Sequence, residues 1–286
     1  MKRFTTLLAL VVALVATAQA QSIIKHMTLK SEILGVEKPY SVYLPDGYEK
    51  SGKSYPVLYL LHGAWGTHLS WVRSAGERGG ELQAIADKAI AEGVAKEMIV
   101  ITPDARGIGE KNGGKNMGYF NVPGWSYMDF FFEEFIPHID ATYRTIASKE
   151  GRAIAGLSMG GGGSFVYAQR RPDMFNAAYS TSGLLDHRYR PGKLEPRYDV
   201  VWLYSVAQTS PVEYLRHATA EQIEQLRTVR WMLDCGDDDR IIDTNLDFFR
   251  EMKREKVPVE FRVRNGKHNW AFWREALPLI LAFSFK

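Results

Sequence analysis

The chain has 286 residues, with 36 Lys and Arg against 33 Asp and Glu, a formal net charge of +3. That balance gives no electrostatic footprint for nucleic acid, and a single cysteine, Cys235, excludes an internal disulfide. Hydrophobic residues at 45% supply enough apolar material for one large domain held by its own core.

The first residues read as a secretory signal. Lys2 and Arg3 give the charged start, Leu7 to Val15 the apolar centre, and Ala18-Gln19-Ala20 a small-residue cleavage site. Residues 1–20 are therefore expected to be removed, leaving a domain over 21–286 that is secreted or periplasmic. The apolar run is too short for a membrane span, so no stable membrane insertion is expected. Removing Lys2 and Arg3 with no acidic residue lowers the net charge from +3 to +1.

From there, strand and helix patterns alternate. Strands are expected at Pro39–Leu44, Pro56–Leu61, Glu97–Thr102, Arg152–Ala155, Asn176–Ser180, Val229–Cys235 and Val257–Arg264. Several are almost continuously apolar, as strands buried on both faces should be. Helices are expected at Gly80–Gly93, Tyr127–Tyr143, Gly161–Arg171, Asn245–Lys256 and Trp270–Phe285. This order predicts an α/β protein with a mainly parallel sheet flanked by helices. Residues 184–228 break the alternation with charges, prolines and aromatics (Tyr189, Tyr198, Trp202, Tyr204, Tyr214). They are expected to form an insertion over the carboxyl edge of the sheet, where ligands of such sheets bind.

Between the strand at 152–155 and the helix at 161–171 lies Gly156-Leu157-Ser158-Met159-Gly160. It has the form of a nucleophile elbow, a tight strand-to-helix turn that exposes the serine hydroxyl. A serine needs a base to take its proton and an acid to orient that base. Both should follow the serine, past successive late strands. Gly236-Asp237-Asp238-Asp239 follows the strand at 229–235, and Asn265-Gly266-Lys267-His268 follows the strand at 257–264. His268 alone among the seven histidines has the required order; His26, His62, His68, His138, His187 and His217 do not. The three aspartates leave the acid open on spacing alone. They lack the spaced ligands and central glycine of a calcium loop, so no metal is expected. An oxyanion needs backbone N–H groups aimed at the developing charge. Met159 is one expected donor, and Ala64, in the loop Tyr59-Leu60-Leu61-His62-Gly63-Ala64, is the other.

Taken together, Leu60-Leu61-His62-Gly63, Ser70-Trp71, Gly156-Leu157-Ser158-Met159-Gly160-Gly161, Arg171-Pro172-Asp173-Met174-Phe175, Cys235-Gly236-Asp237-Asp238-Asp239 and His268-Asn269-Trp270 resemble the esterase D-type alpha/beta hydrolases. That group includes the feruloyl and acetylxylan esterases of carbohydrate esterase family one, small tributyrin esterases and mycobacterial mycolyltransferases. The resemblance spans almost the whole mature chain. It implies an alpha/beta-hydrolase fold, Asp239 as the acid and Ala64 and Met159 as the oxyanion donors. Two departures stand out: Asn269 follows the histidine where an acidic residue is common, and Asp237 and Asp238 crowd the acid. Trp65, Trp71, Tyr119, Phe120, Trp125, Trp270 and Trp273 fall in or beside expected loops. Of these, Trp71, Phe120 and Trp270 are assigned to a flat cleft for a phenolic acyl group or sugar ring. The glycines at 160–163 have no following P-loop lysine, so phosphate binding is not expected.

The expected protein is a secreted serine carboxylesterase with no cofactor. Its substrate would be a small-molecule ester or an acylated polysaccharide, with feruloyl or acetyl groups of plant cell walls implied by the resemblance. Acyl transfer to a sugar, as in the mycolyltransferases, and a non-catalytic secreted carbohydrate-binding module are the alternatives.

Overall fold

The computed structural model describes residues 22–109, 113–186 and 207–286. The expected leader over residues 1–20 lies outside the described residues. So do His187, Tyr189, Tyr198, Trp202 and Tyr204 of the expected insertion.

Strands run at β1 (Ile23–Ser31), β2 (Val36–Leu44), β3 (Val57–Leu61), β4 (Ile99–Pro103), β5 (Asn121–Val122), β6 (Trp125–Ser126), β7 (Arg152–Leu157), β8 (Ala177–Thr181), β9 (Arg230–Gly236) and β10 (Glu260–Arg264). Helices are α1 (Leu82–Ala91), α2 in three consecutive parts (Tyr127–Asp129, Phe130–Phe135 and Ile136–Thr142), α3 (Met159–Arg170), α4 (Pro211–His217), α5 (Ala220–Leu226), α6 (Ile242–Arg254) and α7 (Trp270–Ser284). Among the described residues the main sheet has eight strands in the order β1-β2-β4-β3-β7-β8-β9-β10. β1 and β2 pair antiparallel, as do β2 and β4; the other neighbours are parallel. This is the alpha/beta-hydrolase arrangement.

Alternation within the strands divides the core in two. In β3, Val57, Tyr59 and Leu61 face one apolar layer and Leu58 and Leu60 the other. The first layer is closed by α2, α3, α4, α5 and α6 through side chains such as Phe131, Phe165, Leu215, Leu226 and Phe248. The second is closed by α1 and α7 through Leu82, Ala86, Phe272, Leu277 and Ile280. Each fully buried large apolar side chain contributes roughly 1.5–3 kcal/mol relative to exposure.

Two differences from the sequence expectations have physical causes. β1 escapes notice because it is an edge strand with polar residues such as Lys25 and His26 along it. The helix expected at 127–143 widens to i→i+5 turns over Phe130–Phe135, just before Pro137, whose missing N–H cannot continue the regular ladder. Of the segment 184–228, the described residues include α4 and α5, which lead to the start of β9. Val212 N–H donates to Leu185 O at one end. At the other, Trp231 Nε1–H donates to Leu226 O.

Every parallel connection returns the chain so that β3, β7, β9 and β10 end on the same edge. The tightest point is the β7–α3 turn. A Cβ on Gly156 would lie 2.3 Å from Gly160 O, and one on Gly160 would lie 2.5 Å from both Leu61 O and His62 O. Neither obstacle is a movable side chain. Replacing Gly156 with alanine is expected to destabilise the fold by about 2 kcal/mol, read as a lower urea midpoint at unchanged slope.

Candidate active site

Ser158 stands at the join of β7 and α3 with φ 54° and ψ −117°. This backbone conformation costs a side-chain-bearing residue roughly 1–3 kcal/mol, and the surroundings hold it in place. Ser158 N–H donates to Thr181 O at 3.0 Å, while Ser158 O accepts from Gly162 N–H and Leu184 N–H, both at 3.0 Å. The turn is thus tied at once to β8, to α3 and to the loop beyond β8.

His268, in the loop between β10 and α7, lies with Nε2 3.0 Å from Ser158 Oγ. Its Nδ1 is 2.9 Å from Asp239 Oδ2 and 3.0 Å from Asp239 Oδ1. Asp239 is 2% exposed and also accepts from Ile241 N–H at 3.0 Å. Burial works against its ionisation, yet the bonds from His268 and Ile241 outweigh it and hold the carboxyl below its ordinary range. With Asp239 charged, Nδ1 carries the imidazole proton and Nε2 is free to accept one from the serine. Trp273 meets the His268 ring edge to face, with centroids 5.0 Å apart.

The other two aspartates have different work. Asp237 Oδ1 accepts from Gly266 N–H at 2.9 Å and from Asp238 N–H at 3.0 Å. Asp237 N–H donates to Arg264 O and Asp238 N–H to Gly266 O. These bonds continue the β9–β10 pairing past the sheet and hold the acid loop against the histidine loop. Both side chains are exposed. Below them, Asp234 is buried and accepts two bonds from Arg264, at 2.9 and 2.8 Å. Asn269, the departure noted in the sequence, caps α7: its Oδ1 accepts from Phe272 N–H at 3.1 Å.

The loop after β3 passes beside the elbow. A Cβ on Gly63 would lie 3.4 Å from Ser158 Cβ. Among the described residues, neither Ala64 N–H nor Met159 N–H donates to a backbone carbonyl. Met159 also opens α3, where the helix dipole favours negative charge. Both expected oxyanion donors therefore border the serine with their amides uncommitted to the backbone.

The aromatic cleft needs correction. Trp71 is fully buried and donates Nε1–H to Leu61 O at 3.0 Å, supporting the β3 end from below. Phe120 is 2% exposed and belongs to the core. Both were drawn inward because aromatic rings carry the largest apolar area to bury. Trp270 is half-buried, stacked edge to face on Trp71 and Trp273. The aromatic that sequence reasoning left unranked is Trp65: it follows Ala64 directly and is 48% exposed. Cys235 is buried, and burial pushes its thiol up, so it stays protonated and unreactive.

The Esterase family model matches residues 31–284. The chain belongs to the Esterase family. Among solved structures, a ferulic acid esterase is 42% identical, with a TM-score of 0.84 over 93% of this chain and 98% of that one. Among curated proteins, an endo-1,4-beta-xylanase/feruloyl esterase of Xylanibacter ruminicola is 39% identical over 157 residues, 53% of this chain and 20% of its own length. An esterase of Mycobacterium tuberculosis is 33% identical over 164 residues, 55% of this chain and 32% of its own length. The matches thus span a third or less of those relatives. Among the described residues, no helix is long and apolar enough to cross a membrane.

Two outcomes are expected from this geometry. Asp239→Asn should lower kcat about 10⁴-fold, since the amide would favour the wrong imidazole tautomer; Asp237→Asn and Asp238→Asn, assayed alongside, should each stay within about tenfold of the parent. The second concerns His62, which is fully buried and whose pKa burial pushes down to about 4. Below pH 6.5 the unfolded chain takes up a proton there that the folded chain refuses. Stability present at neutral pH is therefore lost between 6.5 and 4, by about 3 kcal/mol from this residue. Urea unfolding at pH 7 and pH 4 should show a loss that is smaller by that amount in His62→Asn.

Proposed function

We propose that the chain is a secreted serine carboxylesterase that hydrolyses feruloyl or acetyl esters of plant cell-wall polysaccharide through an acyl-enzyme on Ser158. The observation that carries the reading is the unbroken hydrogen-bonded line from Ser158 Oγ through the His268 imidazole to Asp239. His268 Nε2 takes the hydroxyl proton as Ser158 Oγ attacks the ester carbonyl. Charge that builds on the carbonyl oxygen is met by the N–H groups of Ala64 and Met159. The alcohol leaves with the proton from His268. Water, deprotonated by the same nitrogen, then releases the acid and restores the serine. Asp239 keeps the imidazole oriented and balances its transient charge.

Support for the substrate comes from the similarity to a ferulic acid esterase and to the feruloyl esterase of Xylanibacter ruminicola. Trp65 and Trp270, which border Ala64 and His268, offer exposed and half-exposed rings for an aromatic acyl group. Export rests on the leader-like residues 1–20.

Ser158→Ala should lower hydrolysis of p-nitrophenyl acetate by at least about 10⁵-fold, and an unchanged rate would sink the assignment. A panel of methyl ferulate, acetylated xylan and p-nitrophenyl acetate ranks the acyl groups. With a sugar acceptor present, free acid is the expected product; a new sugar ester in its place would make the protein an acyltransferase.

A further inference from the structure

We propose that His62 is a positioning residue for the oxyanion site: by holding the Gly63 carbonyl it turns the Gly63–Ala64 peptide so that the Ala64 N–H faces the space beside Ser158. The inference rests on the serine-hydrolase reading above and adds a residue that touches neither substrate nor Ser158.

The side chain is 1% exposed and both ring nitrogens are committed. Nε2 lies 2.9 Å from Ala105 N, whose backbone N–H can only donate. A nitrogen that accepts carries no proton, so the proton sits on Nδ1. Nδ1–H then donates to Gly63 O at 2.7 Å. The tautomer is set by the Ala105 amide, and the direction of the second bond follows from it. Burial keeps the ring neutral at neutral pH, so this arrangement holds there.

Carbonyl and N–H of one trans peptide unit point in opposite directions. Gly63 O is drawn inward by His62 and by Gly66 N–H, which donates to it at 3.1 Å. The N–H of the same unit, that of Ala64, is thereby turned away from the interior. Gly63 itself approaches Ser158 closely, a Cβ on it lying 3.4 Å from Ser158 Cβ, so the peptide that follows it borders the serine. Left unheld, a peptide after glycine has several orientations of similar energy.

A buried frame keeps the Ala105 amide in place. Asp104 is fully buried and accepts from Arg106 N–H at 2.8 Å and from His68 Nδ1 at 3.2 Å. Lys38, on β2, is 1% exposed, donates from Nζ to Arg106 O at 2.7 Å, and lies 4.0 Å from Asp104 Oδ1. On the other side, Tyr119 O–H donates to His62 O at 3.0 Å. The loop is fixed on both flanks, and the His62–Gly63 bond is the link that sets the peptide plane.

The test compares His62→Gln with His62→Asn in the full chain. The shorter asparagine amide places an N–H near the position of Nδ1 and can still donate to Gly63 O. Glutamine reaches the position of Nε2 and satisfies Ala105, leaving Gly63 O without its side-chain donor. Rates on p-nitrophenyl acetate are expressed per folded molecule, measured by near-ultraviolet circular dichroism at the assay temperature. His62→Gln is expected to lower kcat about 100-fold with KM within about twofold. It should weaken phenylboronic acid, which forms a tetrahedral adduct on the serine, by a similar factor. His62→Asn is expected to recover at least tenfold of both losses. Equal losses in the two variants, or a His62→Gln kcat at the parent level, would overturn the proposal. An inactive parent protein, unlabelled by a fluorophosphonate, would overturn the serine-hydrolase reading and this inference with it.

Discussion

One backbone constraint organises the molecule: the left-handed conformation of Ser158, clamped between β7 and α3. A single residue with φ 54° cannot be relaxed there, because its amide and carbonyl are bonded to three different elements. The glycines on either side are consequences of that turn. So is the contact between α3 and the carbonyl groups that end β3, which brings the Ala64 loop next to the serine. Strain at one residue, roughly 1–3 kcal/mol, is offset by two apolar layers that close the sheet on both faces. The Ser158 hydroxyl is therefore presented from a turn held by three backbone hydrogen bonds.

Around this point the electrostatics are arranged in advance of any substrate. Asp239 is ionised because its hydrogen bonds outweigh its burial. His62 is neutral because burial prevails there. Two histidines of one chain are thus set in opposite surroundings: His268 bonds to Ser158 and Asp239 at a partly open site, while His62 is sealed and bonded to backbone at both ring nitrogens. Oriented groups of this kind need no reorganisation when charge develops, which is the source of most of their effect on rate.

The sequence was most readable where a pattern has only one geometric meaning. The order of Ser158, the acidic triplet and His268 placed all three loops on one sheet edge, and the alternation of apolar strands with helices pointed to a sheet covered on both faces. Asp239 could not be singled out by spacing. Only three-dimensional pairing shows that Asp237 serves the Gly266 amide and that Asp238 points to solvent. The aromatic cleft failed for the same reason in reverse. A tryptophan in a loop reads the same whether it supports the loop from below, as Trp71 does, or is exposed above it, as Trp65 is. β1 stayed hidden because its residues are mostly partly buried or exposed and do not alternate apolar with polar throughout.

The order of the strands has a further meaning for durability. Ser158 leaves the centre of the sheet, but His268 follows β10, an end strand that among the described residues pairs with β9 alone and carries an exposed Val263. Its alternating Glu260, Arg262 and Arg264 discourage a stray strand from adding to that border. Among the described residues that border has β9 alone for its ladder. Fraying of β10 would move His268 while Ser158 and the core remained in place. In the proposed mechanism the base is thus carried at the margin of the sheet and the nucleophile at its centre, two places that differ in how readily they open locally.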